Sequence, residues 1–430
     1  MVPGRGPPTQ NPLGYLSTMV YDAASNQIAR VDANGNRTTS VFDALNRVQA
    51  TIDALANRTT NTFDANGRRT VIKDPRGGLI TMTYSKRNEQ IAIANQLGYA
   101  SSFGFDANGR MVSRQFATGD ITTMSYDNDG RQIGRLYADS TRVTLAYDSV
   151  GNTTTMQDST GTTTYSFDAL NRTVGKTDPG SLAQAYTFDS AGQRTVLVDP
   201  DGGVRTYAFD LDGRLTTLTL PNGSLVTRIF DADARLVSFS QTTPALSGRW
   251  TYDVASQIVS VQRTVAGIES YRQTLTYDPV GNRTVIQLRN GTSTTYSYDV
   301  KNRLTQDATV GLNTHTYVYS FDSVDNILTN SESGSVATST YDLANRLTTV
   351  LAGSSLSTYS FDTNGNNIGV ASTGLITMIY DKENRLATYL ASGTSVSYTY
   401  SGDGLKRTEW TAGTPTTLVW DGQDYIEERS

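Results

Sequence analysis

An aromatic residue followed by aspartate recurs along the chain at a step of about 21 residues. Copies include Tyr21-Asp22, Phe42-Asp43, Phe63-Asp64, Phe105-Asp106, Tyr126-Asp127, Phe167-Asp168, Phe188-Asp189, Phe209-Asp210, Tyr298-Asp299, Tyr341-Asp342 and Trp420-Asp421, while Tyr84-Ser85 and Tyr400-Ser401 carry serine in the aspartate place. About twenty copies in register leave little choice of architecture. A unit this small cannot bury an apolar face alone and must stack on its neighbours. Function in such a chain belongs to the array and not to one special residue.

Each unit reads as a β-hairpin. In Thr164-Tyr165-Ser166-Phe167-Asp168-Ala169-Leu170-Asn171-Arg172, rings at 165 and 167 share one strand face and Thr/Ser the other, which is period-2 alternation. Three residues after the aspartate, nine copies have Gly (Gly213 among them) and six have Asn. These are the residues most tolerant of positive φ, so this position is expected in the left-handed region. Arg, as in Arg214, stands next in ten copies, and a Thr/Val/Leu stretch returns. A second Gly-containing turn closes most units. Gly and Thr are too dense for helix. The step widens after Asp253 and Asp299, which places longer loops near Gly267 and Gly311.

The fold class is therefore all-β, a repeat array of about twenty hairpin units forming a curved spiral sheet. Residues 1–14, with four prolines and three glycines, read as an extended lead-in; residues 15–430 read as one continuous array. About forty strands at roughly 4.8 Å spacing give a strip on the order of 190 Å long, enough for about one circuit of wall.

Composition narrows the function. The net charge of −5 with scattered Lys and Arg offers no basic patch for nucleic acid. Zero cysteines exclude disulfides and thiolate metal sites. No apolar run approaches a membrane span, and no apolar signal centre opens the chain.

The pattern Tyr/Phe-Asp-x-x-Gly/Asn-Arg-Leu, as in Phe209-Asp210-Leu211-Asp212-Gly213-Arg214-Leu215 and Tyr341-Asp342-Leu343-Ala344-Asn345-Arg346-Leu347, resembles the YD repeat of the Rhs and teneurin-like family over about residues 15–425. The resemblance implies a partial YD-shell: hairpins wound into a hollow wall that, in bacterial polymorphic toxins, holds a C-terminal toxin domain released by an aspartic protease in the core segment. Leu418 to Glu428 is similar to the stretch leading into that core. Core, protease aspartates and toxin domain are absent from this sequence, so their activities are not expected here. The implied partners are a C-terminal toxin domain or a partner shell protein, and the implied location is secreted or at the cell surface.

The expected function is structural and non-enzymatic, a shell wall for encapsulation and delivery or for surface display, with no cofactor and no metal. Phe167, Asp168, Phe188, Asp189, Phe209, Asp210, Gly213, Arg214, Tyr298, Asp299, Tyr341 and Asp342 are its representative repeat positions. The aspartate either accepts hydrogen bonds from turn amides or pairs with the Arg four residues on. The alternative is a surface module whose aromatic ladder stacks glycans or a protein partner. Asp199, Asp201 and Gly203 lack the spacing of an EF-hand loop and read as a turn. His315, the single histidine, has no nucleophile beside it and reads as strand filler. A hydrolase built on paired aspartates has no supporting motif.

Overall fold

The computed structural model describes residues 8–429. Those residues form 41 β-strands and no helix. Most strands are five to seven residues long, as in Arg194–Val198, Val204–Phe209 and Gly161–Phe167. Within the proline-containing lead-in, residues 1–7 lie outside the described residues, and Thr9–Gln10 pairs antiparallel with Leu16–Tyr21. Ser430 also lies outside them.

The repeat turn has one design. After Gly161–Phe167, the Asp168 amide donates to the Arg172 carbonyl at 3.0 Å and the Asn171 amide donates to the Asp168 carbonyl at 3.0 Å. Asn171 has φ 60°, and the register shifts by one residue between Ser166 and Phe167 before Thr173–Asp178 returns. This is a type I turn closed by a left-handed bulge residue. Every repeat copy but the last has positive φ three residues after the aspartate, whether the residue is Gly, Asn, Ser, Ala or Asp. In the last, Asp421 pairs directly with Asp424 across a two-residue turn, and Gly422 takes the positive φ. Glycine at the first central position selects that tighter turn.

Two kinds of second turn recur. Early ones, at Asp32, Asp53, Asp74 and Asp199, repeat the five-residue design with an aspartate of their own. Later ones, such as Ala266-Gly267, Ser333-Gly334 and Ala412-Gly413, have two consecutive residues at positive φ, the tight type I′ pattern. The widened repeat after Asp253 differs from the sequence expectation of a longer loop. Its extra residues lengthen the strands to Ile258–Val265 and Ile268–Tyr277, because Ala266-Gly267 supplies a two-residue turn that lets pairing run to the tip.

The described chain divides into two compact units: Met1–Met82 with Ala94–Gly98 and Leu225–Leu356, and Thr83–Ile93 with Tyr99–Ser224 and Ser357–Ser430. Inside each unit two distant stretches lie side by side, joined turn to turn. In the first, Asn34 bonds Asp278 at 3.0 Å, Lys301 pairs with Asp53 at 2.8 Å and Arg76 with Asp322 at 3.4 Å. In the second, Lys382 pairs with Asp120 at 2.9 Å, the Gly402 amide bonds Asp158 at 2.6 Å, and Arg407 pairs with Asp178 at 2.7 Å. Hydrogen-bonded partners across these joins stand 236 to 270 residues apart, roughly twelve repeats. Inside each unit the lateral neighbours therefore lie fewer repeats apart than the roughly twenty expected for one circuit.

Burial follows the alternation. Along Leu182–Phe188, Gln184 and Tyr186 are buried while Ala183, Ala185 and Thr187 are exposed. Fully buried apolar residues are few; one small cluster in the second unit joins Tyr137, Val143 and Met156. Gly402 packs against it so closely that an added Cβ would stand 2.7 Å from Val143. The ring residues Phe167, Phe188 and Phe209 are half-buried, so the apolar layer is a coat on one sheet face and not a deep core.

Candidate functional site

The aspartate of the repeat satisfies both of the roles open to it. Asp168 Oδ1 accepts the amides of Leu170 at 2.9 Å and Arg172 at 3.0 Å, and Oδ2 accepts Arg172 Nε at 2.7 Å. The same three bonds recur at Asp210 (3.0, 2.9 and 2.7 Å), Asp299 (2.8, 3.0 and 2.7 Å) and Asp342 (2.9, 3.0 and 2.7 Å). Asp189, followed by Gln193 in place of Arg, accepts the Gln193 amide at 2.8 Å. The Arg172 amide first, with the Arg172 guanidinium, holds the Asp168 carboxyl below the usual carboxylate value. Asp210 is lowered in the same way by Arg214.

The arginine then reaches into the next repeat. Arg172 donates to the Asp189 carbonyl at 3.1 Å and lies over the Phe188 ring, 4.8 Å from its centroid. Arg131 does the same to Asp148 and Tyr147, Arg235 to Asp253 and Tyr252, and Arg303 to Asp322 and Phe321. Tyrosine copies add a bond backwards. Tyr298 OH donates to the Arg283 carbonyl at 2.8 Å and Tyr341 OH to the Ile327 carbonyl at 3.0 Å. In each case the acceptor stands five residues after the preceding repeat aspartate. Trp420 uses its indole N–H on the Lys406 carbonyl at 2.7 Å.

Where Asn replaces Arg, a different bridge appears. Asn152 Nδ2 donates to its own Asp148 at 2.8 Å and to Asn171 of the next repeat at 3.0 Å. Asn26 with Asn46, Asn282 with Asn302 and Asn326 with Asn345 repeat this. Both bridges are missed by reading one repeat alone. Their signal is a correlation between repeats: an Asn four residues after one aspartate accompanies an Asn three residues after the next.

Gly213 sits at φ 79°, and an added Cβ there would stand 3.0 Å from Gln193 Nε2. In the second unit, Phe188 and Phe209 line a cavity of about 750 Å³ together with Tyr165, Tyr186, Asp403 and Asp421. Burial, then the nearby Asp403 carboxylate, push Tyr165 up to about 12. Arg194 crosses this cavity to Asp421 at 2.5 Å, between the rings of Tyr186 and Tyr207. Lys176 pairs with Asp178, Arg194 with Asp421, and Asp403 accepts from Ser401 and Leu405 in its own turn, which is the chemistry of a fastening. Asp199 accepts the Gly203 amide at 2.7 Å and pairs with Arg205, so it closes a turn. His315 bonds the Asn313 carbonyl at 2.6 Å and meets the Tyr317 ring edge-on. Among the described residues, no cluster of three or more His, Cys, Asp or Glu could hold a metal ion, and no helix is long and apolar enough to cross a membrane.

A ladder of hairpins fastened turn to turn defines a structural repeat protein whose working surface is the wall itself. Residues 18–229 match the teneurin YD-shell family and residues 277–315 match the RHS repeat; the chain belongs to the RHS and YD-shell repeat family. It is similar in fold to a chain in the crystal structure of TcdB2-TccC3-TEV, at 15% identity and TM-score 0.69, covering 97% of this chain and 28% of that one. A chain in the Photorhabdus luminescens Tc holotoxin pore with a mutated TccC3 matches at 15% identity and TM-score 0.69, covering 96% and 27%. The chain thus spans little more than a quarter of the length of these solved relatives. No curated protein sequence matches it.

Proposed function

We propose that this chain is a length of shell wall that takes part in enclosing and delivering a toxin domain, and that it works outside the cell that makes it, secreted or at the surface. The observation that carries the reading is the uniform fastening: the same Asp, Arg and aromatic positions join repeat to repeat, so the sequence is devoted to building continuous wall. The Tc holotoxin named for one solved relative supports toxin delivery as the setting. Its partners would be a toxin domain and further shell protein.

The glycan-stacking alternative has less support. Arginines lie over the ring faces of Phe63, Tyr126, Tyr147, Phe188, Tyr252 and Phe321, which is where a sugar would stack.

A protease-sensitive reporter domain fused after Ser430 tests the wall role, with and without a co-expressed partner shell chain. Digestion by thermolysin is expected to slow when the partner completes the wall. Equal digestion rates in both samples would refute enclosure.

A further inference from the structure

The two sides of the hairpin array are not used alike. In the second unit the repeat turns Asp362–Asn366 and Asp381–Arg385 are half-buried throughout. They are covered by second turns: Thr118 meets Asn364, and Asp120 meets Lys382. The repeat turns of the earlier stretch in the same unit have the same backbone yet stand open. Leu170 is 71% exposed, Val150 68%, and Leu211 fully exposed. Asp129 and Asp212 stand beside them, paired with Arg131 and Arg214, each of which also holds a second carboxylate, Asp127 or Asp210, so these turns stay acidic. A solvated turn has no need of Leu or Val at its tip, so a row of them marks a contact edge.

The opposite edge is open in the first unit. There the second turns of the later stretch carry Ile268, Val310 and Leu312, 74%, 66% and 69% exposed. Arg272 and Arg289 stand on the same edge and share one carboxylate, Glu269, which leaves that edge basic. One open edge is apolar and acidic, the other apolar and basic. Inside each unit it is a second-turn edge that covers a repeat-turn edge, which leaves the earlier repeat turns and the later second turns uncovered in both units, as Leu45 at 70% and Leu375 at 66% exposure also show.

We propose that the open repeat-turn edge of residues 127–214 docks the open second-turn edge of residues 265–312 of another copy of this chain, head to tail. The contact is heterologous, since different surfaces meet, and each added copy presents a fresh edge. Charge of opposite sign sets the approach and apolar tips supply the burial. The inference goes beyond the enclosure reading and stands without a cargo.

Sedimentation velocity over a concentration series tests it on the full chain, with circular dichroism and melting to check folding. The wild type is expected to show a sedimentation coefficient that rises with concentration. Leu170→Lys with Leu211→Lys should abolish the rise, and so should Ile268→Asp with Leu312→Asp. An equal mixture of the two variants should form dimers and nothing larger, because one good edge remains on each. Should a variant fail to fold, Asp129→Lys with Asp212→Lys reads the same edge through charge. A monomeric wild type at every concentration, an edge variant that associates normally, or a mixture that stays monomeric would each overturn the proposal.

Discussion

Arg172 lies over the ring of Phe188, 4.8 Å from guanidinium carbon to centroid, while its Nε holds Asp168 at 2.7 Å. One side chain thereby locks its own turn and grips the next repeat. In a linear array, stability is the sum of unit and neighbour terms, and this contact belongs to the neighbour term.

Removing it should uncouple adjacent repeats. A double-mutant cycle on Arg172→Gln and Phe188→Leu is expected to give a coupling energy of roughly 0.5–1 kcal/mol, the size of an exposed cation–π contact. Chemical denaturation of the four proteins measures it. A coupling indistinguishable from zero would show that the ring and guanidinium are merely adjacent.

The tyrosine hydroxyls make a second neighbour contact. Tyr126→Phe removes the 2.7 Å bond to the Met111 carbonyl and should cost about 0.5–1.5 kcal/mol. Phe188→Tyr offers the missing hydroxyl to the equivalent Thr173 carbonyl, so it should be neutral or mildly stabilising. Urea midpoints decide both; a stabilising Tyr126→Phe would contradict the bond.

Ala234 sits at φ 62° in a turn where the adjacent repeats use Gly213 and Ser256. A residue with a Cβ is strained there by roughly 1–2 kcal/mol, and glycine gives back part of that gain as unfolded-state entropy. Ala234→Gly should therefore raise the melting temperature slightly, and Gly213→Val should lower it clearly. Scanning calorimetry showing the reverse order would mean that the turns differ in solution.

Asp178 is almost fully buried between Arg407 at 2.7 Å and Lys176 at 2.9 Å, within the second unit. Asp178→Ala strands two buried cations and should destabilise by about 3–5 kcal/mol. Adding Arg407→Met and Lys176→Met should recover most of the loss, since desolvated charges would be gone as well. No recovery in the triple variant would place the cost in the packing of Asp178 itself.

Acid should loosen the whole ladder. Asp43, Asp168 and Asp210 are held below the ordinary carboxylate value, Asp43 chiefly by the Arg47 guanidinium and the others chiefly by the amides of Arg172 and Arg214. A lowered folded-state value means that the unfolded chain takes up protons first as pH falls. The contribution is therefore complete above the ordinary carboxylate value and is lost as pH falls through the lower folded-state values. The urea midpoint should be level at every pH above the ordinary carboxylate value and drop as the pH falls below it. A midpoint unchanged at the acid end would exclude the aspartate bonds as a source of stability.

Much of this was legible in the order of residues. The step of about 21, the ring and Ser/Thr faces of Thr164 to Phe167, and Gly or Asn three residues after the aspartate each depend on local backbone geometry. Strand alternation and left-handed φ act within a few residues, so they leave their mark in one repeat. Arg172 over Phe188 and Asn152 with Asn171 were hidden because their partners stand a repeat away, and only the strand register brings them together.

Tertiary structure alone decided the rest. That Asp120 meets Lys382, or Asp178 meets Arg407, depends on the twist accumulated over roughly twelve repeats, where a small change per hairpin moves a partner by a whole unit. The same accumulation left Leu170 and Leu211 open while the equivalent turns at Asp362 and Asp381 were covered. The sequence by itself determined the hairpin, its turn and its direction of growth; the summed twist determined which turns meet, because no local interaction encodes a distance of some 250 residues.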